Sequence, residues 1–162
     1  MIAFKDGKDG YYQFDWDGVS PLPKWTSGMT QIAVTPKDPA VVRAQKISEV
    51  KAERDRRKAN GGFLVGTLWF RSDAESLALY VQMLTMAVEQ ALLPTYVFRT
   101  AWRSMSGATT PMTVALVRQI RNAGLITLGL IDDNAQAHIV AIGLSATPES
   151  YNYSTGWPPT YN

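Results

Sequence analysis

The residue types that most often carry out chemistry are sparse in this sequence. Its 162 residues include no cysteine and a single histidine, His138. Cysteine nucleophiles, disulfides and thiolate metal sites are therefore excluded, and a Ser-His-Asp triad would have to use His138. This histidine lies in an apolar helical pattern, where a hydrogen-bonded packing residue is more common than a base. We expect no catalytic residue, no metal and no cofactor.

Paired carboxylates are the remaining candidates for catalysis. Two acids held across a cleft in distinct environments could cleave a glycosidic bond. Glu89, inside an apolar helical pattern, could pair with Asp132 or Asp133. An acid at one helical position more often faces water or an arginine. A glycan-cleaving enzyme is therefore the least favoured alternative.

An aspartate-rich segment near the N-terminus resembles the opening of a calcium loop. It reads Asp15-Trp16-Asp17-Gly18, but the carboxylates needed further along are missing at the required spacing. A hairpin turn with solvated aspartates is the better interpretation.

A run of mixed charge occupies the second half of a predicted helix. It contains Arg54, Arg56 and Arg57, with Glu53 and Asp55 between and before them. The interleaved acids and the net charge of only +2 argue against a nucleic-acid partner. Because this half of the helix has little apolar surface, we predict that the three arginines contact a neighbouring chain or lie on a solvated face.

The sequence predicts neither export nor membrane insertion. The first ten residues carry no apolar signal-peptide core, and we expect no segment to provide the roughly 20 apolar residues of a membrane span. We therefore expect a protein that is made and kept in the cytoplasm, or one that is released by lysis rather than by export.

The elements that must position these residues indicate an α+β fold. A small N-terminal β hairpin or arm over 1–39 precedes a mainly helical domain with a short two-stranded element over 40–147. An aromatic and proline-rich tail over 148–162 follows. Trp16, Trp25 and Trp157 are expected to anchor the two arms against a partner. The alternative for Trp16 and Trp25 is that they only cover the domain's own core.

Caps and apolar periodicity predict the individual elements. The helix that opens at Ser72 is apolar on two sides, so it is either central to the fold or shared with a neighbour. The third helix begins after Thr110 or Thr113, and the apolar segment beyond Gly124 is one kinked helix or two packed ones. The predicted ranges are a helix over 39–60, a strand over 63–70, a helix over 72–93, a strand over 96–102, a helix ending at 122 and helical structure over 125–145.

Several of these elements together resemble a known family. The order VKAERDRRKANGGFLVGTLWFRSDAESLALY, then AWRSMSGATTPMTVALVRQI, then a helical segment with Ala137-His138, is similar to that of small phage and prophage tail-region proteins with a domain of unknown function, DUF4376. The matching positions include a charged helix ending at two glycines, a Gly-x-x-Trp-Phe element, a Ser-Asp pair and a Trp-x-x-Met-x-Gly segment. The resemblance covers about residues 46–147.

This resemblance implies a non-enzymatic function. It implies no catalytic residues, and it implies a structural protein of the virion tail that binds tail-fibre or baseplate proteins. A tail-fibre assembly chaperone that leaves the particle is the alternative. Neither a nucleic acid nor a membrane is an expected partner, and a homo-oligomer is left open.

Overall fold

The computed structural model describes residues 2–8, 11–14, 21–32 and 38–161. The chain divides into two compact units, Met1–Asp38 and Pro39–Asn162. Helices and short antiparallel sheets occur in the order expected of an α+β protein, which confirms the predicted fold class.

The N-terminal unit is a small antiparallel sheet. Its strands are β1 (Ile2–Lys5), β2 (Tyr11–Phe14) and β3 (Thr30–Ile32), in the order β2-β1-β3. Phe4 is buried and stacks on Phe14, with ring centroids 6.1 Å apart. The predicted N-terminal hairpin is thus present, with a third strand beside it. The calcium-like segment 15–18 lies outside the described residues.

The C-terminal unit consists of three helices and two hairpins. Its elements are α1 (Pro39–Asn60), β4 (Phe63–Val65), β5 (Leu68–Phe70), α2 (Ala74–Glu89), β6 (Val97–Arg103), β7 (Thr109–Thr113) and α3 (Val114–Leu144). Arg43 near the start of α1 donates to the backbone oxygen of Ser145, and Lys58 near its end pairs with Asp132. The helices α1 and α3 therefore run antiparallel.

The segment predicted as one strand over 63–70 is a hairpin instead. Phe63 pairs with Phe70 and Val65 with Leu68, so only two residues connect β4 to β5. Gly66 in that turn has a φ of 61°, a conformation that other residues rarely adopt. The prediction overlooked the turn because Thr67 and its apolar neighbours continue the strand pattern.

The boundaries of α2 also differ from the prediction. Asp73, rather than Ser72, is the N-cap, and its carboxylate accepts from the backbone N–H of Ser76 at 2.9 Å. Ser72 is buried and accepts from the backbone N–H of Gly62. The helix ends at Glu89 because Ala91 takes the left-handed conformation, with a φ of 47°.

The third helix is continuous, which corrects the predicted break near Gly124. Thr113, one of the two predicted caps, accepts from the backbone N–H of Leu116 at 3.1 Å, and α3 then runs for 31 residues. Gly124 does not end it. The ring of Phe63 lies where a side chain at this position would be, since an added Cβ would be 3.0 Å from that ring. Glycine therefore serves close packing at this point.

Two apolar clusters fill the C-terminal unit. The larger joins α2, α3 and the strands through Phe63, Phe70, Tyr80, Met83, Met112, Val117 and Ile120. The smaller joins α1 to α3 through Val50, Ala135 and Ile142, with Tyr151, Tyr153 and Trp157 of the C-terminal tail packed against it. The predicted tail therefore docks on its own chain.

Candidate interaction surface

The three predicted contact arginines lie at the C-terminal end of α1 and already have acidic partners. Arg54 pairs with Asp55 at 2.7 Å, while Arg56 and Arg57 both pair with Glu53, at 2.7 and 2.6 Å. The hydrogen bond from Arg56 is the main cause that lowers the pKa of Glu53, and Glu53 in turn raises the pKa of Arg56. These pairs lie within one helix, so the run of mixed charge largely neutralises itself.

Arg57 contacts the tail of its own chain. Its guanidinium lies 5.0 Å from the ring centroid of Trp157, and its Nη1 donates to the backbone oxygen of Pro158. Only 16% of its side chain is exposed, against 57% for Arg56. Arg57 and Trp157, both predicted to contact a partner, thus hold the tail against α1. For Arg54 and Arg56 an interchain contact stays a prediction.

His138 is the centre of the tail's attachment to α3. Its Nε2 is 3.0 Å from the backbone oxygen of Thr155, and its Nδ1 is 2.9 Å from the hydroxyl of Tyr151. Since a carbonyl oxygen only accepts, Nε2 carries the proton, and in the neutral ring Nδ1 accepts from Tyr151. The ring is 7% exposed and lies 5.6 Å from that of Trp157. His138 is therefore a satisfied packing residue, as the sequence predicts.

The other two predicted contact tryptophans belong to the N-terminal unit. Trp16 lies outside the described residues. Trp25 is 49% exposed and packs against Tyr12 and Phe14, with centroid distances of 5.9 and 5.2 Å. Half of its surface covers its own sheet, while the other half is free for a contact.

The candidate catalytic acids lie on the surface of different helices. Glu89 is exposed at the end of α2, and Asp132 on α3 is engaged by Lys58 at 2.6 Å. No group of three potential metal ligands occurs among the residues that the structure describes. Burial raises the pKa of Tyr80 to about 12, which keeps its hydroxyl neutral within the larger apolar cluster.

The most unusual surface is the outward face of α3. Its exposed apolar residues recur at helical spacing and form what we call the α3 outer face: Ile126, Leu130, Val140 and Leu144, with Leu125 at its edge. Leu144 is 84% exposed and Ile126 is 65% exposed. The exposed Asp133 lies on the same face between Leu130 and Val140 and divides it into two apolar patches. Exposed apolar patches of soluble proteins often mark binding sites. Sequence analysis missed this face because it interpreted the apolar segment beyond Gly124 as one kinked helix or two packed ones, and neither alternative predicts a single exposed side.

A groove between α2 and α3 adjoins the first half of the α3 outer face. Its volume is about 710 Å³, and its α2 wall and α3 wall together comprise Val81, Leu84, Thr85, Val88, Glu89, Arg118, Arg121 and Asn122. Val88 is 76% exposed and Val81 is 58% exposed. The prediction that α2 is apolar on two sides is confirmed, because one side packs in the core and the other lines this groove.

By length and composition, α3 could also cross a membrane, contrary to the sequence expectation. It contains an 18-residue window with a mean hydropathy of 1.3, of which 28% is buried. Core helices of soluble proteins pass the same test. Here α3 packs against both α1 and α2.

Comparison with known proteins identifies the family. Residues 41–155 match the model of a domain of unknown function, DUF4376. The chain belongs to the DUF4376 family. The match begins in α1 and ends in the tail, so the DUF4376 domain includes the groove, the α3 outer face and the contact between His138 and Tyr151. No curated protein and no solved structure gave a significant match.

Proposed function

We propose that this DUF4376 protein is a non-enzymatic structural component of a bacteriophage tail. In this proposal it is associated with the baseplate or the tail fibre, binds other tail proteins and stays in the virion after assembly in the host cytoplasm. The tail assignment rests on the order of motifs that resembles phage tail-region proteins. The binding role rests on one observation, the exposed apolar α3 outer face.

The second half of the α3 outer face is suited to another protein chain. Leu130, Val140 and Leu144 are all more than half exposed and lie on one side of α3 between the α2 groove and the end of the helix. Burying such side chains in an interface would remove apolar surface from water, the main driving force of stable association. The protein therefore gains stability when this face is covered.

Mass spectrometry of purified, intact particles of the phage that encodes the chain tests the tail assignment. We expect the chain at a fixed copy number, a small multiple of three or six relative to a major tail protein. Absence from particles, together with co-purification with fibre protein from infected cells, would instead indicate an assembly chaperone. Absence from both would contradict any tail role.

Paired variants test the binding role of the α3 outer face. Val140→Glu combined with Leu144→Glu should remove the chain from particles while leaving it folded, because both residues are exposed. Val41→Glu is the matched control, since Val41 is 61% exposed on α1. Equal incorporation of all variants would show that another surface carries the contact.

A further inference from the structure

The groove between α2 and α3 carries charges of both signs on opposite walls. Glu89 lies on the α2 wall, and Arg118 and Arg121 lie on the α3 wall. Among the described residues, none of the three takes part in an ion pair or in a side-chain hydrogen bond. The exposed side chains of Val81 and Val88 lie beside them.

We propose that this groove binds the same groove of a second copy of this chain, which makes the protein a two-fold symmetric dimer. In such an interface the same patch meets itself, so the patch must be complementary to itself. A two-fold axis along the groove places α2 of each copy over α3 of the other. Glu89 of each copy then faces Arg118 and Arg121 of its partner, and the apolar walls close over one another.

The α2–α3 surface that contains the groove is large enough for this contact only if the contact extends beyond the groove, whose lining on α2 runs from Val81 to Glu89. The 16 residues of the whole of α2 give a length of about 24 Å at the helical rise, and two adjacent helices give a width of about 20 Å at their usual spacing. The product is a footprint of about 480 Å² per copy, or about 1,000 Å² for the pair, at the lower limit for a specific interface. Leu125 and Ile126, one turn beyond the groove, add apolar area at its edge.

A different protein would need a basic group opposite Glu89 and an acidic group opposite Arg118 and Arg121. A second copy of this chain provides both through the two-fold symmetry. The dimer also leaves Leu130, Val140 and Leu144 open. The inference is independent of the tail assignment, because it does not require Leu130, Val140 or Leu144 and can be tested on the purified protein.

Charge reversal with sedimentation velocity tests the dimer. The purified full chain should dimerise over about 1 to 100 μM, the range of modest specific affinities. Glu89→Arg alone and Arg121→Glu alone should each weaken dimerisation about tenfold or more, because each places like charges opposite one another twice. All three charged residues lie on the surface, so we expect both variants to fold.

Mixing the two variants gives the decisive result. In a mixed dimer, the arginine introduced at position 89 of one copy would face the glutamate introduced at position 121 of the other. The unchanged Glu89 and Arg121 would face each other on the other side of the two-fold axis, so an equimolar mixture should recover at least most of the wild-type dimer. Combining Glu89→Arg and Arg121→Glu in one chain should restore it as well. Lys51→Glu on the exposed side of α1 is the control and should change nothing.

Three outcomes would overturn the proposal. A wild-type chain that stays monomeric at all concentrations would show that the groove does not bind itself. A dimer that is insensitive to both reversals would use another surface. Flotation of a monomeric wild type with phosphatidylglycerol vesicles, abolished by Val88→Glu, would identify a lipid bilayer as the occupant.

Discussion

The two sides of α3 are similar in composition but differ in what covers them. On the inner side, Ile142 and Ala135 are buried against α1, and the tail packs beside them through Trp157. On the outer side, Val140 and Leu144 are left exposed. Among the described residues, α1 and the tail cover the inner side of α3, while Val140 and Leu144 on the outer side stay exposed. We therefore interpret the open side as the part of the helix that other chains complete.

Shortening one side chain on each side of α3 should give the largest difference in stability between the two sides. Ile142→Ala should lower the free energy of unfolding by about 2 to 5 kcal/mol, because it leaves a cavity in a fully buried site. Leu144→Ala, two residues away and 84% exposed, should change it by less than about 0.5 kcal/mol. Urea unfolding measures both values. Equal losses would mean that the outer side is also covered in the isolated protein.

Removing the main aromatic contact of the tail should expose part of the inner side of α3 and so reduce its difference from the outer side. Trp157→Ala loses its packing on His138 and Arg57 and should cost about 1 to 3 kcal/mol, less than a fully buried tryptophan because it is only partly covered. Hydrogen exchange should then increase in 148–161 and in the inner side of α3. Pro159→Ala, exposed in the same tail, is the control. Unchanged exchange in the tail would show that other contacts hold it.

Removing the hydroxyl of Tyr151 tests the hydrogen bond that attaches the tail to α3. Tyr151→Phe removes the donor to Nδ1 of His138 and should cost about 0.5 to 1.5 kcal/mol, the usual net contribution of a hydrogen bond. Tyr96→Phe serves as the comparison, because Tyr96 is 43% exposed and its hydroxyl makes no hydrogen bond to any of the described residues. Thermal unfolding resolves the two variants. An equal, negligible effect would assign no stabilising role to the bond.

The charged end of α1 should make the smallest contribution to the free energy of unfolding, and this contribution should depend most on pH. The hydrogen bond from Arg56 lowers the pKa of Glu53 in the folded state, so the ionised form stabilises the fold above the ordinary pKa of about 4.3. That contribution should be lost as the pH falls through the lower folded-state pKa. The stability difference between wild type and Glu53→Gln should therefore shrink below about pH 4.3. A difference that grows on acidification would contradict this assignment.

Local signals in the sequence predicted the elements but not all their boundaries. Pro39 and the glycines after Asn60 correctly bounded α1, and Thr113 correctly capped α3. Gly124 was misread as a break because its reason is tertiary: the ring of Phe63 fills the space at its side. Ser72 was misread as the cap because its hydroxyl instead binds the backbone N–H of Gly62, ten residues earlier in the chain.

The candidate surfaces were predictable only in part. The mixed charge of 53–58 was visible, but the contact of Arg57 with the tail was not, because Trp157 is a hundred residues from Arg57. The two apolar sides of α2 indicated that one of them faces something other than the core, but they did not predict a groove. Its arginines belong to α3, and only the packing of the two helices brings them opposite Glu89.

The sequence by itself determined the fold class, the ends of α1, the start of α3 and the lack of any thiol chemistry. Those properties follow from composition, caps and turn residues, which act over a few positions. Only the tertiary structure decided which apolar side of α3 is covered. The reason is physical: both sides have the same periodicity, and the difference arises because α1, which is distant in the sequence, and the tail pack against one of them.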